Sequence, residues 1–201
     1  MQKDKIMVIT INREYGAGGR TVAKALSEAL GVPWYDRDFV KLTAEKSGYT
    51  EEEVSENSEE LSRSTDLMNR IFSNASYTSA QDSVFAAQRR VMIEMASSPC
   101  IIVGRDSNFI YRDAGIPSFD IFLHADMDYK VSRAEEIGDY GTTDPKKYVE
   151  ERTVKRQNHY KHYTKRTFGD CHDYDICIDI SRLGTEETCS MLAALLKDVF
   201  K

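Results

Sequence analysis

The stretch REYGAGGRT, residues 13–21, follows directly on the apolar run KIMVITIN, residues 5–12. A short run rich in β-branched residues predicts a buried strand, and a glycine-rich segment after it predicts a tight turn. Glycine tolerates the positive φ angles that bring successive backbone N–H groups toward a common centre. The start of a following helix adds the positive end of its dipole, so the stretch predicts an anion-binding loop whose natural ligand is phosphate.

The same stretch differs in two places from the common phosphate-loop signature G-x-x-x-x-G-K-[ST]. Glu14 stands at the first glycine and Arg20 at the lysine, while Thr21 keeps the hydroxyl that coordinates Mg²⁺ in such loops. Arg20 keeps the positive charge, although a guanidinium is longer and more directional than an ammonium. A badly aimed donor would cost about 2.7 to 4 kcal/mol in the transition state, which leaves turnover open. The predicted cradle for the nucleotide phosphates is Gly16, Ala17, Gly18, Gly19, Arg20 and Thr21.

Two other interpretations of the loop compete with phosphate binding. A glycine-rich strand-to-helix segment can be a tight turn without any ligand, because short glycine motifs are common. A dinucleotide fingerprint, G-x-G-x-x-G, would need glycine where Thr21 stands, and Asp36 lies closer than the acidic residue of that fingerprint. The sequence therefore favours a phosphate loop over a dinucleotide loop.

Short apolar runs alternate with helical patterns along the chain, which predicts an α/β fold with a parallel sheet wrapped by helices. The first helix begins near Thr21 and stops at Gly31. An apolar stripe over residues 84–95 and a pattern over residues 145–163 predict two further helices. The 201 residues are expected to form one domain. The predicted strands lie at residues 6–11, 32–35, 100–103, 119–123 and 174–178.

A second candidate site lies in CIIVGRDSNFIYRDAGIP, residues 100–117. Gly104, Arg105 and Asp106 follow the third apolar run, so they should emerge at the carboxyl edge of the sheet, where α/β proteins bind ligands. Arginine there can grip a substrate phosphate, and aspartate can orient a base, a ribose or hydrated Mg²⁺. A structural Arg-Asp ion pair is the alternative.

Composition excludes several classes of protein. The net charge of -6 argues against a nucleic-acid binder, so any anionic ligand must meet locally clustered Lys and Arg. The charged start and short first apolar run predict neither a signal peptide nor a membrane span, and we expect a cytoplasmic protein without membrane partners. The four cysteines form no C-x-x-C pair and are expected to be free thiols, while His159, His162, Cys171 and His172 leave a zinc-clamped segment as an alternative.

The chain resembles the cytidylate kinase-like family of nucleoside monophosphate kinases in three stretches. They are INREYGAGGRTVAKALSEALGVPWYDRDFV (residues 11–40), CIIVGRDSNFIYRDAGIPSFDIFLHAD (residues 100–126) and RQNHYKHYTKRTFGDCHDYDICIDISRLG (residues 156–184). Loops of this family often read REYGSGG followed by arginine, so Glu14 and Arg20 resemble a recurring variant. The lid of true cytidylate kinases is denser in arginine, and their loop carries the usual glycine and lysine.

The resemblance implies a P-loop NTPase fold: a five-stranded parallel sheet flanked by helices, with a helical monophosphate-binding insertion near residues 36–99 and a helical lid near residues 133–166. It also implies ATP and Mg²⁺ as cofactors, with Thr21 as the metal ligand. The implied catalytic residues are Arg20, Arg156 and Arg166. The implied substrate-binding residues are Asp36, Arg37, Gly104, Arg105 and Asp106.

The activity implied by the resemblance is transfer of the γ-phosphoryl group of ATP to a nucleoside monophosphate, with CMP or dCMP favoured. Two alternatives stay open at this point. One is a nucleotide-binding module with weak or no turnover, and the other is a kinase of a different small metabolite. The oligomeric state and the base of the acceptor are not determined by these motifs.

Overall fold

The computed structural model describes residues 8–36, 38–56 and 80–199. Its strands are β1 (Val8–Arg13), β2 (Trp34–Tyr35), β3 (Cys100–Val103), β4 (Ser118–His124) and β5 (Ile176–Asp179). Its helices are α1 (Gly19–Leu30), α2 (Asp38–Ser47), α3 (Glu51–Glu56), α4 (Ala80–Met95), α5 (Ser107–Asp113), α6 (Met127–Ile137), α7 (Pro145–Thr164), α8 (Ile180–Leu183) and α9 (Thr185–Val199).

The sheet has the strand order β2-β3-β1-β4-β5, and every pair of neighbouring strands is parallel. Strand β1 is central and buried along its whole length, as an apolar run between two parallel neighbours should be. Ile11 pairs with Val103 on one side and with Ile121 on the other. The segments that follow β1, β3 and β4 therefore leave the sheet at the same carboxyl edge, and the predicted P-loop NTPase architecture is confirmed.

Side chains alternate between the two faces of the sheet, and each face has its own helices. Ile9 and Ile101 pack with Leu26 of α1 and Leu196 of α9 on one face. The neighbouring positions Val8, Cys100 and Ile102 pack on the other face, against Phe39 of α2, Met92 of α4 and Tyr111 of α5. These two layers fix the position of the glycine-rich loop between β1 and α1.

Most element bounds agree with the sequence, and the differences have local causes. Helix α1 begins at Gly19, two residues before the predicted start, because Gly18 adopts a left-handed conformation (φ 73°) at the N-cap. Strand β5 begins at Ile176, two residues after the predicted start, and a short 3-10 turn over residues 171–173 precedes it. Residues 6 and 7 of the first predicted strand lie outside the described residues. None of the described helices combines the length and the apolar character needed to cross a membrane.

Two adjacent leucines of α9 test this packing. Leu196 is completely buried, whereas Leu195 is 42% exposed. We expect Leu196→Ala to lower the free energy of unfolding by about 2–5 kcal/mol, because it removes contacts and leaves a cavity in the layer against α1. The control Leu195→Ala should change it by no more than about 0.5 kcal/mol. Denaturant unfolding measures both, and equal effects would contradict the packing described here.

Candidate active site

The glycine-rich loop has the backbone geometry of an anion cradle. Gly16 (φ 81°) and Gly18 (φ 73°) both adopt the left-handed conformation that favours glycine. Within the described part of the chain, the N–H groups of these two glycines donate to no backbone carbonyl. Helix α1 starts immediately after them, so its unpaired first-turn N–H groups point to the same place. The loop can therefore surround a phosphate group with backbone donors.

Glu14, which replaces the first glycine of the usual signature, forms an ion pair. Its Oε2 accepts a hydrogen bond from Lys130 Nζ at 2.7 Å, and Lys130 is almost completely buried in α6. The close approach of Lys130 also accounts for the glycine at position 16, because a Cβ there would lie 2.8 Å from the carbonyl oxygen of Lys130. The loop and α6 are thus in close contact through both a charge pair and a glycine without a side chain.

Gly19 has a similar reason to be glycine. A Cβ at this position would lie 3.0 Å from both Cγ and Cδ of Arg13. The stem of Arg13 therefore lies directly against the backbone of the loop, and its terminal NH2 comes within 3.8 Å of Asp36 Oδ1. Arg13 and Asp36 are both buried, which makes this a charge pair inside the protein and not on its surface.

Arg20, the residue at the lysine position, also contacts Asp36. Its Nε donates to Asp36 Oδ2, while the Asp36 side chain is 4% exposed and that of Arg20 is 50% exposed. The Asp36 carboxylate thus lies between two arginines of the loop region. The resemblance implied that Asp36 contacts the substrate, but the structure places its carboxylate on Arg13 and Arg20. Arg37, the neighbouring predicted residue, lies outside the described residues.

The predicted GRD corner lies beside this cluster. Gly104, Arg105 and Asp106 have φ values of 76°, 59° and 54°, so three successive residues are left-handed, two of them at a steric cost of roughly 1–2 kcal/mol each. The Gly104 N–H donates to the Ile11 carbonyl at 3.0 Å and holds the corner on the end of β1. Arg105 is buried, and its NH2 lies 3.5 Å from the backbone oxygen of Asp36. The geometry thus brings Arg105 and Asp36 together at one edge.

Asp106 contacts α7, a helix of the predicted lid. Its Oδ2 accepts a hydrogen bond from His159 Nδ1 at 2.9 Å, and both side chains are nearly completely buried. The other ring nitrogen, Nε2, meets no hydrogen-bond partner in the described part of the chain. Buried polar atoms normally have partners, so this nitrogen is a candidate contact for a ligand.

Arg156 brings a further positive charge to the loop from α7. Its NH1 donates to the carbonyl oxygen of Arg13 at 3.3 Å, and its guanidinium lies over the ring of Tyr15 at 5.5 Å. Tyr15 itself packs edge-on against Tyr148 of α7, which holds this helix against the loop. Arg156, the first of the two predicted lid arginines, is thus brought to the loop.

Arg166, the second predicted lid arginine, lies elsewhere. It donates to Asp173, the buried carboxylate that also accepts from Arg112 NH1 at 3.0 Å. This cluster joins a buried polar network in which Asn108 Nδ2 donates to Tyr160 at 3.1 Å and burial raises the pKa of the Tyr160 hydroxyl to about 12. The structure accounts for Arg166 through these contacts, and its part in phosphoryl transfer stays a prediction.

Thr21 is available for the metal role that its position predicts. Its exposed hydroxyl accepts a hydrogen bond from Arg133 NH2 of α6 at 3.3 Å. Mg²⁺ in phosphate-transfer sites usually keeps several waters and takes few ligands from the protein, so one hydroxyl beside the cradle fits the ion. Among the described residues, the only group of three metal-ligating side chains is the exposed trio Asp170, Cys171 and His172. The alternative of a zinc ion held by the His and Cys residues of this segment includes His159 as a ligand, but His159 Nδ1 is hydrogen-bonded to Asp106.

Sequence reasoning missed some of the charged residues around the loop. Arg13 is part of the quoted stretch, and its place at the end of a buried strand was an available signal. Lys130 and Arg133 gave no such signal, because nothing in the sequence of α6 indicates that it lies against the loop. The sequence suggested His159 as a metal ligand or as a packing residue of its helix, and gave no sign that its partner is Asp106.

The five-stranded parallel sheet, with the glycine-rich loop between its central strand and α1, has the P-loop NTPase architecture. A model of the cytidylate kinase-like family matches residues 8–182, and the chain belongs to this family. Family and fold support a kinase that acts on a nucleotide or another small metabolite. No curated protein matches the chain in sequence.

Solved structures agree on the fold. An uncharacterized protein from Eubacterium ventriosum is 22% identical over 95% of this chain and 98% of its own, with a TM-score of 0.65. The shikimate kinase from Bacteroides thetaiotaomicron is 16% identical over 95% and 98% of the two chains, with a TM-score of 0.56. The shikimate kinase from Acinetobacter baumannii is 14% identical over 98% and 96%, with a TM-score of 0.53.

A pair of glycine substitutions tests the contact between the loop and α6. Gly16 and Gly31 both have positive φ, but a Cβ would meet Lys130 at Gly16 and nothing within 4 Å at Gly31. We expect Gly31→Ala to cost roughly 1–2 kcal/mol of stability, the price of a left-handed alanine. Gly16→Ala should lower stability by a larger amount, because the backbone at Gly16 or Lys130 must also shift to make room for the Cβ. Equal losses in denaturant unfolding would show that the loop does not touch α6.

Proposed function

We propose that this chain is an ATP-dependent phosphotransferase that moves the γ-phosphoryl group of ATP to a nucleoside monophosphate, with CMP or dCMP favoured. One observation carries the proposal: the loop at residues 16–21, the buried Arg105 and the lid residue Arg156 converge on one edge of the sheet. Phosphoryl transfer requires mainly positioning and positive charge around the transferred group. This edge supplies both in a chain whose net charge is negative.

The proposed donor half of the site is the loop. Gly16, Gly18 and the first turn of α1 hold the phosphates of ATP, and Arg20 and Arg156 neutralise the transferring group. Thr21 would hold Mg²⁺, which neutralises charge on the β- and γ-phosphates when it is bound. Arg166 is retained as a predicted third catalytic arginine.

The proposed acceptor half is the GRD corner. Arg105 is buried beside Asp36 and can take an anionic acceptor group through a two-pronged contact, the geometry that suits a terminal phosphate. Arg37, which lies outside the described residues, stays a proposed acceptor residue, whereas the carboxylate of Asp36 is already paired with Arg13 and Arg20. A monophosphate acceptor fits because its phosphate oxygen is already a nucleophile and needs no protein base.

A second candidate function is a kinase whose acceptor is a hydroxyl group on another small metabolite. The observation that favours it is the buried Asp106–His159 pair, whose Nε2 meets no hydrogen-bond partner among the described residues. A carboxylate-oriented imidazole can remove the proton of a hydroxyl acceptor, and a phosphate acceptor has no use for such a base.

An acceptor panel separates the candidates. The full chain is incubated with ATP and Mg²⁺ and with each of CMP, dCMP, UMP and AMP, and then with hydroxyl-bearing metabolites, while ADP and phosphorylated product are measured. Diphosphate product from CMP or dCMP supports the main proposal. Product only from a hydroxyl acceptor supports the second candidate. Measurable ATP binding with no product from any acceptor would overturn both and identify a binding module.

Arg156→Met tests the charge that the lid brings to the loop. We expect kcat to fall by about 10²–10³-fold, the effect of removing one donor that stabilises transition-state charge, with little change in the KM of either substrate. Lys147→Met is the matched control, since Lys147 is an exposed cation of the same helix that pairs with Glu151 at 3.9 Å. A similar loss of kcat in both variants would refute a specific role for Arg156.

A further inference from the structure

The Nε–H group of Arg20 and its two terminal nitrogens have different surroundings. Arginine carries five N–H donors, of which the Nε–H is directed to Asp36 Oδ2. No other described side chain or carbonyl accepts from Arg20, and half of its side chain is exposed beside the loop. Among the described residues the two terminal nitrogens of the guanidinium therefore have no partner and are available to a ligand, while Nε fixes the plane in which they lie.

Charge balance alone does not explain this contact. Asp36 is nearly completely buried and needs a positive partner, but the buried Arg13 already lies within 3.8 Å of its Oδ1. Arg20 binds the second carboxylate oxygen through the one nitrogen that leaves its terminal fork unobstructed. The Asp36 carboxylate is thus placed to fix the orientation of the Arg20 guanidinium relative to the loop.

From this geometry we infer that Asp36 is a positioning residue for Arg20, and that the two together replace the lysine of the standard phosphate loop. This inference rests on the proposed function, since it assigns the oriented fork to the β- and γ-phosphates of ATP. Asp36 acts on the nucleotide through Arg20 and not by contact with the acceptor. Arginine at position 20 and aspartate at position 36 are one functional unit.

The inference makes lysine a poor substitute at position 20. A lysine has one compact charged group, and the Asp36 carboxylate would attract it away from the phosphates. Arginine can serve both partners at once because its Nε and its terminal nitrogens point in different directions. The carboxylate that helps the parent should therefore hinder the lysine variant.

The Asp36 carboxylate should therefore strengthen ATP binding in the parent and weaken it in the lysine variant. A double-mutant cycle on ATP affinity tests this reversal of sign. Isothermal titration calorimetry measures the binding of ATP, and of AMP as a ligand without β- and γ-phosphates, to the full chain and to Asp36→Asn, Arg20→Lys and the double variant. We expect Asp36→Asn to weaken ATP binding about tenfold in the parent, the scale of one charge-assisted hydrogen bond. In the Arg20→Lys background the same change should tighten ATP binding, and AMP affinity should stay constant throughout.

A purely structural role for Asp36 predicts a different pattern. Asp36→Asn would then weaken ATP and AMP alike, and by the same factor in both backgrounds, and either finding overturns the inference. Asp120→Asn is the matched control, because Asp120 is equally buried and lies 3.6 Å from Arg112, and it should leave ATP affinity unchanged. Thermal unfolding confirms that each variant is folded.

A second pair of variants covers the case in which Asp36→Asn fails to fold. Arg20→Gln and Arg20→Lys change a half-exposed side chain, so both should fold. We expect the lysine variant to bind ATP no better than the glutamine variant, because Asp36 captures the ammonium; binding as tight as in the parent would overturn the inference. If the effect of Asp36→Asn on ATP affinity changes sign as expected but the chain shows no turnover, the proposed kinase activity is rejected and the positioning role is kept. If the parent chain does not bind ATP, the kinase activity and the positioning role are both rejected.

Discussion

The buried carboxylate of Asp36 is the interaction on which the site depends. It follows β2, at one side of the sheet, and it binds two arginines that flank the glycine-rich loop, one at the end of β1 and one at the start of α1. A buried anion must be compensated, so Arg13 and Arg20 are drawn to it from opposite ends of the glycine-rich stretch. Arg105 lies against the backbone of the same residue. One carboxylate thereby sets the positions of the charges that surround the proposed phosphate site.

The loop is held from its other side by α6 and α7. Lys130 pairs with Glu14, Arg133 contacts the Thr21 hydroxyl, and Arg156 reaches the carbonyl of Arg13. These contacts mean that α6 and α7 lie on the loop. The sites proposed for the donor and acceptor are therefore neighbours in one polar cluster at the carboxyl edge of the sheet, where the fold places ligands.

The architecture could be predicted from the sequence because its signals are local. β-Branched runs marked the strands, and the apolar stripe over residues 84–95 marked α4. The placement of the GRD corner beside the loop followed from the rule that parallel strands end at one edge. The partners of individual charges could not be predicted, since Glu14 and Lys130 are 116 positions apart and His159 and Asp106 are 53 apart. Only the folded chain shows that these pairs meet.

The Glu14–Lys130 pair has a consequence for how this loop relates to the standard one. Restoring the usual glycine and lysine at positions 14 and 20 would strip the almost buried Lys130 of its counter-ion and give Asp36 a different partner. The step at position 14 thus leaves the Lys130 charge without its counter-ion, whereas the step at position 20 replaces the guanidinium on Asp36 with an ammonium. Glu14, Lys130, Arg20 and Asp36 therefore form two linked pairs, and a change at one member of a pair alters the electrostatic environment of the other.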